Sequence, residues 1–142
     1  MAVIHVLNGP NLDLLGVREP HIYGTTTLAD IEGMCREAAL GDLVFRQTNH
    51  EGEMIDLIHA ARGVADGIII NPAGWSFTSI AILDALKTFE GPVIELHISN
   101  IHARDAAHRH SILSQAVTAV IAGLGAKGYP VAVKAMEGLV AG

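Results

Sequence analysis

A chain of 142 residues is long enough to bury one core and short for two, so a single domain over residues 1–142 is expected. Half of its residues are hydrophobic and 17% are charged, which excludes a disordered chain. A net charge of −6 with no Lys/Arg cluster excludes a nucleic-acid surface, and no apolar run nears the ~20 residues of a bilayer span. A cytoplasmic protein acting on a small molecule is therefore expected, with no nucleic-acid or membrane partner.

The first apolar run, AVIHVL (2–7), reads as a strand. It opens into NGPNLDLLGVREPHIYG (8–24), a long loop rich in Gly, Pro and Asn that carries Asn11, Arg18 and Tyr23. A helix is expected from about Thr27, because Leu28, Ile31, Met34, Cys35 and Ala38 recur at helical spacing. Cys35 is the only cysteine, so no intramolecular disulfide can form, and its place on that apolar face makes it a core thiol. A second strand, DLVFRQT (42–48), leads through NHEGE to a helix from about Glu51 with Met54, Ile55 and Ile58 on one face. The third strand, GIIIN (67–71), runs into NPAGWSFTS, and a third helix is expected after Thr78 as its N-cap. The fourth strand, PVIELHIS (92–99), precedes the histidine-rich NIHARDAAHRHSIL, a fifth strand AVTAVIAG (116–123) and a last helix over about 126–140.

Short Val- and Ile-rich strands alternating with helices are the pattern of a parallel sheet covered on both faces. Five strand–helix units with right-handed crossovers fit an α/β, flavodoxin-like three-layer sandwich, a five-stranded parallel sheet of order 2-1-3-4-5. In such a sheet ligands bind beyond the carboxyl ends of the strands where the order reverses, here at the loops after the first and third strands.

Glu95, His97 and Ser99 alternate with Leu96 and Ile98, so they share one face of the fourth strand, where apolar residues would be expected. Unpartnered, each would cost about 1–3 kcal/mol to bury; either they form a site or they satisfy one another at a strand end. The 8 histidines raise the question of a metal, but only His97 and His102 have a ligand-like spacing, and no HExxH or CxxC accompanies them. GLGAKG (123–128) fits a dinucleotide fingerprint in form; with too little chain after it to bring the acidic ribose ligand, its glycines read better as a tight strand-to-helix turn. Ser76, Thr78 and Ser79 lack the G-x-S-x-G elbow of a hydrolase.

Taken together, LNGPNLDLLGVREPHIYG, QTNHEGEMIDLIHAA, GIIINPAG, TSIAILDAL, IELHISNIHAR and GLGAKGYPVAV resemble, in order and spacing, the type II 3-dehydroquinate dehydratases of the shikimate and quinate pathways. The resemblance implies reversible dehydration of 3-dehydroquinate to 3-dehydroshikimate without metal or other cofactor, in a homododecamer built as a tetramer of trimers. It implies Tyr23 as the base, Arg18 as the cation that favours its anion, and His97 as the acid, with Glu95 and Asn11 positioning His97 and an enolate-stabilising water. Asn71, Ser99 and the Ile98 N–H resemble a seat for the substrate carboxylate, Arg104 a second cation, and Asp84 a group able to reach a neighbouring subunit's site.

A tyrosine near pH 7 needs about 3–4 kcal/mol of help to act as a base, and one guanidinium at ~4 Å supplies about that much. Two positions depart from the family pattern: Phe77 stands where it has histidine, and His108 where it has arginine, with Arg109 adjacent but on another side if the stretch is helical. Both belong to recognition of ring hydroxyls rather than to proton transfer. They leave open a divergent relative that acts on or binds a related cyclic hydroxy-ketone acid.

Overall fold

The computed structural model describes residues 1–141, and of Ile22 and Tyr23 the backbone alone. Five parallel strands, β1 (Ile4–Asn8), β2 (Leu43–Gln47), β3 (Gly67–Asn71), β4 (Val93–His97) and β5 (Ala119–Ala122), form one sheet in the order β2-β1-β3-β4-β5. The α-helices are a single turn α1 (Pro20–Tyr23), then α2 (Leu28–Ala38), α3 (Glu51–Ala61), α4 (Ile80–Leu86) and α5 (Gly128–Ala141). The flavodoxin-like sandwich expected from the strand pattern is the fold observed.

Alternation along the strands divides the core between two faces. Ile4, Val6, Ile69, Ile94 and Leu96 lie with Ile31 and Cys35 of α2 and with Tyr129, Val133 and Met136 of α5. Leu7, Ile68, Ile70 and Val93 lie with Met54 and Ile58 of α3 and with Ile82 and Leu86 of α4. Burial, reinforced by the charge of Glu32, pushes the Cys35 thiol up to about 12, the state of an inert core thiol.

Boundaries move where side chains override the apolar pattern. Thr27 does cap α2, its hydroxyl accepting from the Asp30 N–H while the Asp30 carboxylate accepts from the Thr27 N–H. The cap of α4 is Ser79 rather than Thr78, its Oγ accepting from the Ile82 N–H at 3.0 Å. The fourth crossover holds no α-helix, contrary to five strand–helix units: residues 101–116 make three short 3-10 turns, Ile101–Ala103, Ala106–His108 and Leu113–Ala116. That stretch lacks an apolar helical stripe, and two of its serines turn inward to Glu95. β5 is correspondingly shorter than 116–123, and a 3-10 turn at Gly125–Lys127 delays α5 to Gly128.

His5 on β1 is buried with its Nε2 unpartnered. Burial, with the charge of Arg46 adding, holds this imidazole below its ordinary 6.5. The unfolded chain therefore binds the proton more readily, so this contribution is complete above about pH 6.5 and is lost as pH falls toward the folded-state value. His5→Phe should flatten the stability profile between about pH 5 and pH 7, a change of at most about 1.4 kcal/mol per pH unit. Urea melts across that range check it, and an unchanged slope would show that other groups set the acid sensitivity.

Candidate active site

β1 and β3 end in register at Asn8 and Asn71, and the Gly9 N–H donates to the Asn71 carbonyl at 2.8 Å. A Cβ on Gly9 would sit 2.6 Å from the Pro72 carbonyl oxygen, so only glycine lets the two loops touch. Beyond this junction opens a cleft of about 110 Å³, at the switch point where the strand order reverses. Two non-glycine residues on its lining, Asn11 (φ 69°) and Ala73 (φ 51°), have left-handed backbones, a strain of about 1–3 kcal/mol each that the surrounding fold must hold.

Behind the cleft lies the fully buried carboxylate of Glu95. Its Oε2 accepts from His97 Nε2 at 2.6 Å, from the Ser111 hydroxyl at 2.7 Å and from the Ser76 hydroxyl at 3.0 Å, while its Oε1 accepts from the Ser114 hydroxyl at 2.6 Å. Burial alone would raise this carboxyl, but the hydrogen bonds from His97, Ser114 and Ser111 outweigh it and hold the group below its ordinary range. Glu95 is thus an ionised acceptor with every donor supplied by protein. Glu95 does not itself line the cleft; His97, 4% exposed, is the member of the pair that does.

A second buried network supports the floor. The Asn71 Nδ2 donates to the Tyr129 hydroxyl at 2.8 Å, and that hydroxyl donates to Asn8 Oδ1 at 2.8 Å. Asn8 Nδ2 continues to the Arg46 carbonyl at 3.0 Å, and Asn71 Oδ1 accepts from the Ala73 N–H at 3.2 Å. Complete burial pushes the Tyr129 hydroxyl well above the usual phenol range, so it stays a neutral link. The glycines of GLGAKG serve the same end. Gly123 (φ 90°) and Gly125 (φ 66°) turn the chain so that their N–H groups donate to the carbonyls of His97 at 3.3 Å and Ile98 at 3.0 Å.

The structure brings most of the sequence-named residues to one place: Asn11, Arg18, Asn71, His97, Ile98, Ser99 and Arg104 line the cleft, as do Phe77 and His108. The Asn11 N–H is fixed by Asn49 Oδ1 at 2.9 Å, and the Arg18 guanidinium lies 4.0 Å from the Glu19 carboxylate. The Phe77 ring stacks on His97 with centroids 6.1 Å apart and meets His108 at 5.6 Å with ring planes 76° apart. Arg109 turns away, donating to the Arg104 carbonyl at 2.8 and 3.1 Å. His102 and His110 are exposed.

Two residues do not join them. Asp84 is exposed on α4 and lies outside the cleft lining of its own chain, because Leu83 and Ala85 beside it face the core. The Tyr23 side chain lies outside the described residues; its backbone closes α1, after Glu19 in a left-handed conformation and Pro20 at the first helical position. Sequence reasoning missed Ser76, Ser111, Ser114 and Tyr129. The SILS spacing, which puts two hydroxyls on one side of a tight turn, and a tyrosine within the apolar stripe of α5 were the available signals.

A family model described as dehydroquinase class II matches residues 2–137. Over 137 residues the chain is 56% identical to 3-dehydroquinate dehydratase 2 of Agrobacterium fabrum, covering 94% of this chain and 93% of that protein. It is similar to the type II dehydroquinase of Propionibacterium acnes, with 47% identity, a TM-score of 0.88 and coverage of 100% and 98% of the two chains. The corresponding values for the type II dehydroquinase of Butyrivibrio crossotus are 37%, 0.93, 96% and 97%.

Proposed function

The chain belongs to the class II dehydroquinases, a family of hydro-lyases, and on that premise we propose that it removes water reversibly from 3-dehydroquinate to give 3-dehydroshikimate. The observation that carries this reading is the His97–Glu95 pair at 2.6 Å, backed by three hydroxyls and opening on a cleft that also holds Arg18.

Elimination beside a ketone needs a base for the α-proton and an acid for the departing hydroxyl. Tyr23 takes the proton as the phenolate, its charge favoured by Arg18, and leaves an enolate. His97 acts as the imidazolium. Its Nε2–H is committed to the Glu95 carboxylate, so the Nδ1–H is the proton given to the hydroxyl as the carbon–oxygen bond breaks; the enolate electrons form the new double bond and water leaves. The Phe77 ring stacks on the His97 ring and fixes one side of it. Asn11 holds the water that meets the enolate oxygen. Asn71, Ser99 and the Ile98 N–H receive the substrate carboxylate, with Arg104 supplying positive potential.

The test is direct: purified protein mixed with 3-dehydroquinate should produce the ultraviolet absorbance of a conjugated enone. No rise at high enzyme concentration would overturn the reading. Phe77 favours a second reading, because an apolar ring occupies wall that could otherwise hydrogen-bond a ring hydroxyl. On that reading the substrate is a related cyclic hydroxy-ketone acid. A large gain in dehydroquinate turnover on Phe77→His with His108→Arg supports it, whereas high activity in the parent rejects it. We further propose a homododecamer, in which Asp84 would serve a neighbouring subunit; light scattering measures the size.

A further inference from the structure

The end of β2 and the loop after it reach past the end of β1 to a residue of the cleft. Asn49 Oδ1 accepts the Asn11 N–H at 2.9 Å, and Gln47 Nε2 donates to the same Oδ1 at 3.1 Å and to the Gly9 carbonyl at 3.1 Å. Facing two carbonyl oxygens, the Gln47 amide has one satisfactory orientation, and it holds the Asn49 oxygen against Asn11. From the other side the Gly9 N–H donates to the Asn71 carbonyl at 2.8 Å. Residues 9–11 are therefore clasped between the ends of β2 and β3.

Asn11 needs such support. Its backbone is left-handed, with φ 69°, a conformation that asparagine visits more readily than most residues but still under strain. A change in the sign of φ would rotate the Cβ about the N–Cα bond and take the side-chain amide off the cleft wall that it lines. That amide has no hydrogen bond of its own among the described residues. The restraint thus falls on the peptide, and the amide is left for a ligand.

Resting on the dehydratase reading above, in which Asn11 holds the water that meets the enolate oxygen, we propose that Gln47 and Asn49 are positioning residues for that step: they lock the Asn11 backbone left-handed and so aim its amide. Neither of them lines the cleft, so they act through Asn11. An oxyanion is stabilised by donors that are fixed before its charge develops. The clasp therefore serves the transition state rather than the capture of substrate, and its loss falls on kcat.

Two substitutions that add the same charge separate the clasp from a general electrostatic effect. Asn49→Asp keeps an acceptor between two donors and should hold kcat for 3-dehydroquinate within about threefold of the parent. Gln47→Glu sets a carboxylate against two carbonyl oxygens and pushes Asn49 off Asn11; it should lower kcat about tenfold to hundredfold, as should Asn49→Ala. KM should stay within about threefold of the parent in all three. Asn11→Gly, which suits the left-handed backbone but loses the amide, should cost about 10²- to 10³-fold in kcat. In that background Asn49→Ala should slow the protein no further. A kcat for Asn49→Ala close to the parent, equal losses in the two acidic variants, or an undiminished effect of Asn49→Ala in the Asn11→Gly background overturns the proposal.

A measurement without substrate separates this from the dehydratase reading. In amide hydrogen exchange read at the Asn11 N–H, the parent and Asn49→Asp should be protected alike, while Asn49→Ala and Gln47→Glu should exchange at least about tenfold faster. Equal exchange in the parent and Asn49→Ala overturns the proposal even if the parent turns the substrate over. Faster exchange in Asn49→Ala with no turnover in the parent retains the clasp on Asn11 and rejects only the catalytic reading.

Discussion

Glu95→Gln is expected to lower kcat for 3-dehydroquinate by about 10²- to 10⁴-fold, the range associated with general acid catalysis. The carboxylate does not line the cleft, so on the proposed mechanism the loss acts through His97. The neutral amide removes a negative charge 2.6 Å from the ring that is proposed to give up the proton. The alkaline limb of the kcat profile should therefore move to lower pH, a result that a purely structural carboxylate would not produce. The substitution also leaves a donor NH₂ among hydroxyls arranged to donate, which costs about 1–3 kcal/mol. Because the Glu95 carboxyl is held below its ordinary 4.5, its stabilisation is present above that pH and is lost as pH falls through the folded-state value. A kcat retained within a few-fold would remove Glu95 from the mechanism.

Tyr23→Phe should reduce kcat by a comparable factor while leaving thermal stability within a few degrees of the parent. The phenol is proposed to act as its anion, so the position of the acid limb of the kcat profile reports the cation that favours it. Arg18→Gln should shift that limb to higher pH by up to about 2–3 units, since the ~3–4 kcal/mol supplied by a guanidinium at ~4 Å corresponds to that interval. Measured activity of Tyr23→Phe close to the parent would assign the base elsewhere.

The strands, their order and the position of the cleft were legible because each follows from a short-range rule. Val–Ile runs, their alternation with helical stripes and the switch-point rule need only local sequence. The resemblance also named most of the cleft lining, including Phe77 and His108. What was hidden is the support: Ser76 from one segment and Ser111 and Ser114 from another converge on Glu95, and nothing local tells a serine at a turn whether it faces water or a carboxylate. The missing helix between β4 and β5 has the same cause, since that segment takes its conformation from partners on β4 and not from its own periodicity. Whether Asp84 faces its own chain's cleft was not legible either, because helical spacing alone does not say which way a polar residue beside Leu83 points.

Tyr129, at the start of α5, reaches the ends of two strands at once. Its hydroxyl is shared by Asn8 on β1 and Asn71 on β3. The first turn of α5 therefore cannot lift from the sheet without unlatching a residue of the cleft floor. In amide hydrogen exchange, α5 and the ends of β1 and β3 should then open as one cooperative unit with a common free energy, and Tyr129→Phe should let the helix exchange ahead of the strands. The cleft would be kept in shape by α5, so a nick or truncation in that helix would be felt first as weakened substrate capture, before any loss of the sheet itself.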